Sequence, residues 1–78
     1  MSDVVLRMYT VYRDPADLPG VPFAVREFLI VAGAEPRPGA IIGMAPSLEA
    51  VRMSIPPHAD ACLARSPGDD PAIVETWV

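Results

Sequence analysis

Ten prolines in 78 residues constrain this chain more than any other feature. Each proline fixes its own φ and lacks a backbone N–H, so it is excluded from helix interiors and from central strands. They stand at positions 15, 19, 22, 36, 38, 46, 56, 57, 67 and 71, clustered between apolar stretches. That placement predicts a compact fold of short elements joined by stiff loops. The apolar fraction of 51% is too high for a disordered chain.

The stretches between prolines can be read in turn. Val4 to Tyr12 is rich in β-branched and aromatic residues and predicts a strand. Val4, Leu6, Met8, Thr10 and Tyr12 alternate onto a mostly apolar face, opposite Arg7, Tyr9, Val11 and Arg13. The alternation predicts an antiparallel sheet with one buried side. Asp14 to Gly20 reads as a loop, and Phe23 to Val31 as a second strand with both faces partly apolar. Gly33 to Gly39 is a second loop, and Ala40 to Ala45 a third strand weakened by Gly43.

Ser47 opens the clearest helix signal. Its hydroxyl can cap the free N–H groups of the first turn, where Glu49 also suits the helix dipole. Leu48, Val51 and Ile55 recur at helical spacing and are expected to face the sheet. Pro56-Pro57 ends this helix after about two turns. His58 to Arg65 is open between helix and extended chain, Ser66 to Pro71 is a turn, and Ala72 to Val78 a last strand. The expectation is one small α+β domain over residues 1–78 with the order β-β-(β)-α-β. It consists of an antiparallel sheet of three to four strands with one short helix packed on one face.

A chain this short buries a small core, and the lone Cys62 excludes an internal disulfide. Association with itself as a homodimer, or with a protein partner, is therefore the expected means of burying more apolar surface. The net charge of −4 argues against nucleic acid as a partner. The longest mostly apolar stretch, Phe28 to Ala34, is too short for a membrane span, so no membrane association is expected. One cysteine and an N-terminus without a basic, apolar leader pattern point to the cytoplasm. The absence of Lys, Asn and Gln fits a GC-rich bacterial genome.

Four segments carry a resemblance: Tyr9-Thr10-Val11-Tyr12, Ser47 to Arg52, Ser66-Pro67-Gly68-Asp69-Asp70-Pro71, and Ile73 to Val78. Together they resemble a family of short, uncharacterised bacterial proteins, a likeness that implies no activity. Ser47-Leu48-Glu49-Ala50 is also similar to the helix start of HicB-type antitoxins, whose core runs β-β-β-α. In that family an Asp-Leu-Pro-Gly segment precedes the helix, whereas Asp17-Leu18-Pro19-Gly20 stands here in the first loop. This looser resemblance implies an antitoxin-like module as the alternative function, beside an RNA-binding sheet, since mixed Arg and aromatic residues on a sheet can stack on bases.

Three constellations carry potential chemistry. His58, Asp60 and Cys62 would share a side of an extended segment and offer N, O and S ligands. Three ligands fall one short of a structural zinc site, and the chain has no second His or Cys, so no metal or cofactor is expected. Cys62 with His58 lacks an orienting third group for nucleophilic catalysis. Asp69-Asp70 reads as a turn whose carboxylates bond their own backbone, with Arg65 or Arg52 tying it down. The third constellation is the sheet face opposite the helix, where Arg7, Tyr9, Arg26, Phe28 and Trp77 are expected to gather. Arg and aromatic residues are enriched at protein interfaces. The expected function is a non-enzymatic interaction or regulatory module using that face.

Overall fold

A computed structural model describes residues 4–78, with side chains from Leu6 onward. The elements are β1 (Val4–Arg13), β2 (Phe23–Val31), β3 (Arg37–Ala45), α1 (Leu48–Arg52), β4 (Cys62–Ala64) and β5 (Ile73–Trp77). All neighbouring strands are antiparallel, in the order β3-β2-β1-β5-β4. The sheet has five strands rather than three or four, because the segment after the helix is extended and pairs with β5 as an outer strand.

Loop chemistry sets the strand ends. Asp14 takes the left-handed conformation (φ 46°), which a short carboxylate side chain tolerates better than most. Its N–H donates to the Pro22 carbonyl at 2.9 Å, closing the loop between β1 and β2. β3 begins at Arg37, earlier than the sequence suggests, so Pro38 lies within a strand. This is an outer strand, where a missing N–H need not break a ladder. The helix starts where expected: Ser47 is extended (φ −137°, ψ 156°) and its hydroxyl accepts from the Ala50 N–H at 3.1 Å. It spans five residues rather than two full turns.

Sheet order explains which side is covered. β3 and β4 occupy opposite edges, so the chain between them must cross the sheet. α1 and the segment to Ala61 make that crossing over one face only. Beneath it lie Tyr9, Val11 and Val25, closed from above by Val51 and Ala59, with Phe23, Ile42, Leu48, Ile55, Val74 and Trp77 around them. Two bulges feed this core. β3 carries an extra residue where Val25 pairs with Gly43 but Arg26 with Ile41, and Ile42 packs into the core. β5 does the same between Ile73 and Glu75, turning Val74 inward. Gly43 is needed where it stands: a Cβ there would run into the Ser54 side chain at the end of the helical turn.

The covered side is the reverse of the one expected. Alternation along β1 suggested that Leu6, Met8, Thr10 and Tyr12 would be buried, but the crossover lies on Tyr9 and Val11. Both faces of β1 carry apolar residues, so alternation alone could not choose between them. Among the described residues no helix is long and apolar enough to cross a membrane.

Candidate interaction face

Among the described residues the side without the crossover is bare of helix, although Thr10 and Ala24 at its middle are buried (5% and 1% exposed). Directly paired residues share a face, and Met8↔Phe28, Thr10↔Arg26, Tyr12↔Ala24 and Thr10↔Thr76 define it across three strands. Leu6↔Ile30, Ala24↔Met44 and Leu63↔Thr76 extend it to both edges. Leu6, Met44 and Leu63 are 46%, 60% and 52% exposed, and all three belong to this face. Among the described residues the other large exposed apolar residue, Met53, caps the C-terminal end of the helix on the other side.

A trough of about 230 Å³ runs along the middle of the face. Its floor is Met8, Thr10, Tyr12, Phe28, Ile73 and Thr76, and its rim is Pro36 from the β2–β3 loop and Asp69 from the β4–β5 loop. The Thr10 and Thr76 hydroxyls meet at 3.5 Å across the strands. Arg26 is held in place, donating to the Gly39 carbonyl at 2.9 Å and to the Asp17 carboxylate at 3.2 Å. Burial pushes the Tyr12 phenol above its ordinary 10.0; Arg26 opposes this while Asp70, Asp17 and Asp69 reinforce it.

The structure divides the residues expected to share one face. Arg26 and Phe28 are on the bare face. Tyr9 and Trp77, which pair with each other, are on the covered side, and Tyr9 is core. Arg7 follows them, bridging to Glu27 at 3.4 Å, the residue paired with Tyr9. Alternation along β1 puts Arg7 with Tyr9 and along β2 puts Arg26 with Phe28. The two strands' frames are joined only by the register, which places Tyr9 opposite Glu27 and not Arg26. Sequence reasoning missed Leu6, Met44 and Leu63 as members of the bare face. The signal for Leu6 was its alternation with Met8, whereas Leu63 sits in a three-residue strand with no pattern to read.

Trp77 has a different partner. Its indole N–H donates to the Glu75 carboxylate, which also takes a two-pronged bond from Arg52, with Nε to Oε2 at 2.9 Å. Glu75 is buried, and these bonds, Arg52's first, hold its carboxyl below the ordinary value in spite of burial. The same bond raises the Arg52 guanidinium further above its usual range. This triad ties helix to β5 through a carboxylate whose bonding is satisfied, as a structural ion pair requires. A cleft of about 210 Å³ beside it is lined by Arg52, Ile55, Pro56, Pro57, Ala59 and Trp77.

The other candidate groups are placed by local bonding. His58 Nε2 lies 3.3 Å from the Tyr9 hydroxyl, with the rings edge to face at 5.9 Å. Cys62 is exposed at the outer strand; partial desolvation and the Glu75 charge raise its thiol, disfavouring the thiolate that a nucleophile needs. Among the described residues no three His, Cys, Asp or Glu side chains are grouped to hold a metal ion. Asp69 accepts from the Ser66 N–H at 3.0 Å and Asp70 from the Ala72 N–H at 2.9 Å, the turn arrangement expected of them. Arg65 donates to the carbonyls of both aspartates, while Arg52 is engaged elsewhere.

No family model, no curated protein and no solved structure matches this chain.

Proposed function

We propose that this chain is a non-enzymatic interaction module that docks a protein partner on its bare sheet face. One observation carries the reading: Leu6, Met44 and Leu63, all about half exposed or more, lie around the margins of the one face that the crossover leaves open. Scattered exposed apolar residues need no explanation, but a set that shares one face and surrounds an apolar trough suits an interaction surface. The charge pattern fits as well. Interface centres are depleted of charge, and the trough floor holds none. The division of Arg7 from Arg26 leaves neither face with a broad cationic patch, which weighs against nucleic acid. The lone Cys62 fits a reducing compartment such as the cytoplasm.

A second reading, an antitoxin-like regulator, draws on the β1-β2-β3-α1 order, which parallels the core of the HicB-type resemblance. It uses the same docking face and differs in the identity of the partner.

A photo-crosslinking amino acid placed at position 63 tests the face directly. In cells expressing the chain, covalent protein adducts should form from position 63 and be absent from position 53, which is 86% exposed but on the far side. Equal adduct formation from both positions, or none from 63, would overturn the proposal.

A further inference from the structure

We infer that the occupant of the bare face is a second copy of this chain, packed sheet on sheet as a two-fold symmetric sandwich. This rests on the docking role of the face and names the partner.

The core gives the first reason. Val11, Val25 and Val51 are the largest side chains that are fully buried, so one copy alone has little apolar interior. Covering the second face turns a two-layer molecule into four layers and gives β1, β2 and β5 a core on both sides.

The area approaches what a pair needs. Strands of 10, 9, 9, 3 and 5 residues, at about 3.3 Å per residue and about 4.8 Å apart, give a flat face of about 570 Å², to which the rim loops add. A standard stable interface takes about 800 Å² from each partner.

The trough is smaller than a drug-sized ligand needs. Pockets for drug-sized molecules run from about 300 to 1,000 Å³, and the trough holds about 230 Å³. Protruding apolar side chains stand on either side of it, Met44 on β3 and Leu63 on β4. A two-fold axis running along β1 sets the β5–β4 side of one copy over the β2–β3 side of the other. Each ridge then meets the opposite flank, as the self-complementarity of a two-fold contact demands.

Charge fits the same axis. Arg26 flanks β1 on the β2 side, and Asp69 rims the trough on the β5 side. The two-fold operation brings each Arg26 over the flank that carries the other copy's Asp69. Like charges are kept from the centre, where Met8, Thr10, Tyr12 and Phe28 are uncharged, so the net charge of −4 per copy does not block approach.

Edge-to-edge pairing, the competing route for a small sheet, is discouraged at both edges. β4 has three residues, and β3 contains Pro38 and two register shifts. Short strands, proline and bulges all blunt an edge.

Size-exclusion chromatography with light scattering, on the full chain, decides the matter. At tens of micromolar the expected mass is twice the 8.3 kDa of one chain. The L63D and M44D variants should fall to the single-chain mass, and M53D should remain at the doubled mass. All three substituted residues are exposed, and circular dichroism is the check that each variant stays folded. A doubled mass that survives L63D and M44D would overturn the face-to-face arrangement. A single-chain mass for the wild type would overturn self-pairing. An apolar fluorescent dye then separates the two ideas. Dye binding that L63D weakens several-fold leaves the docking face intact with a different partner, and no dye binding removes the docking reading too.

Discussion

Glu75 shows how a single residue can be fixed by partners far along the chain. It is buried opposite Val11 in the sheet, yet it stays charged because Arg52 and Trp77 supply the donors that water would otherwise provide. A carboxyl held below its ordinary 4.5 adds stability that is fully present above that value. The stability is lost as pH falls through the lowered folded-state value. Urea midpoints measured on descending pH should therefore drop below about pH 4.5 in the wild type. In Glu75→Gln that part of the acid slope should be missing. At neutral pH the same variant should be less stable by about 1–2 kcal/mol, since bonds to charged groups are worth more than neutral ones. Arg52's 43% exposure keeps the loss from being larger. Parallel acid slopes in the two proteins would contradict this account. Gly43 is the second residue with a defined penalty. Gly43→Ala should destabilise by about 1–3 kcal/mol, as overpacking does, read as a lowered thermal midpoint. Neither feature was legible in the sequence. Arg52 and Glu75 lie 23 residues apart, and Gly43 reads as a weak strand residue until Ser54 is seen above it.

At the scale of elements, local signals were reliable and global ones were not. The second strand runs from Phe23 to Val31 as its composition suggests, bounded by Pro22 and Gly33. Ser47 caps the helix as its hydroxyl and position imply. Leu48 and Val51 turn toward the sheet because helical spacing places them on one side, and Ile55, in the turn beyond the helix, packs there as well. A helix of five residues has no independent stability, so its cap matters through the crossover that it anchors. Ser47→Ala should cost about 1 kcal/mol, visible as a shift in urea midpoint with an unchanged slope. A change in slope would indicate that the crossover itself had come loose. What the sequence could not supply was the pairing frame. Four register shifts interrupt the ladders, and each exchanges inside for outside on one strand. That is why Arg7, Tyr9, Arg26, Phe28 and Trp77 could be recognised as interaction-prone types and still be assigned to one face when they occupy two. β4 was ambiguous for a simpler reason: all three of its residues are exposed, so no hydrophobic period marks it.

For the whole molecule the governing fact is one crossover over a five-stranded sheet. It produces a covered side with a small core and a bare side with an apolar trough. If the bare side is satisfied by a second copy, folding and association are linked, and stability depends on concentration. The thermal midpoint of the wild type should rise when protein concentration is raised a hundredfold. That of Leu63→Asp should stay level. A wild-type midpoint independent of concentration would separate the fold from any self-pairing. The direction of this effect does not depend on the size of the monomer's own stability.

The blunted edges also limit how far assembly can go. Among the described residues the crossover fills one side, three-residue β4 and Pro38-bearing β3 offer poor templates at the ends, and one sheet face is left open. A building block with one adhesive surface saturates after one encounter. If self-pairing holds, it yields a closed pair and supplies no second site from which a filament or lattice could grow, so high concentration should produce pairs and not polymers.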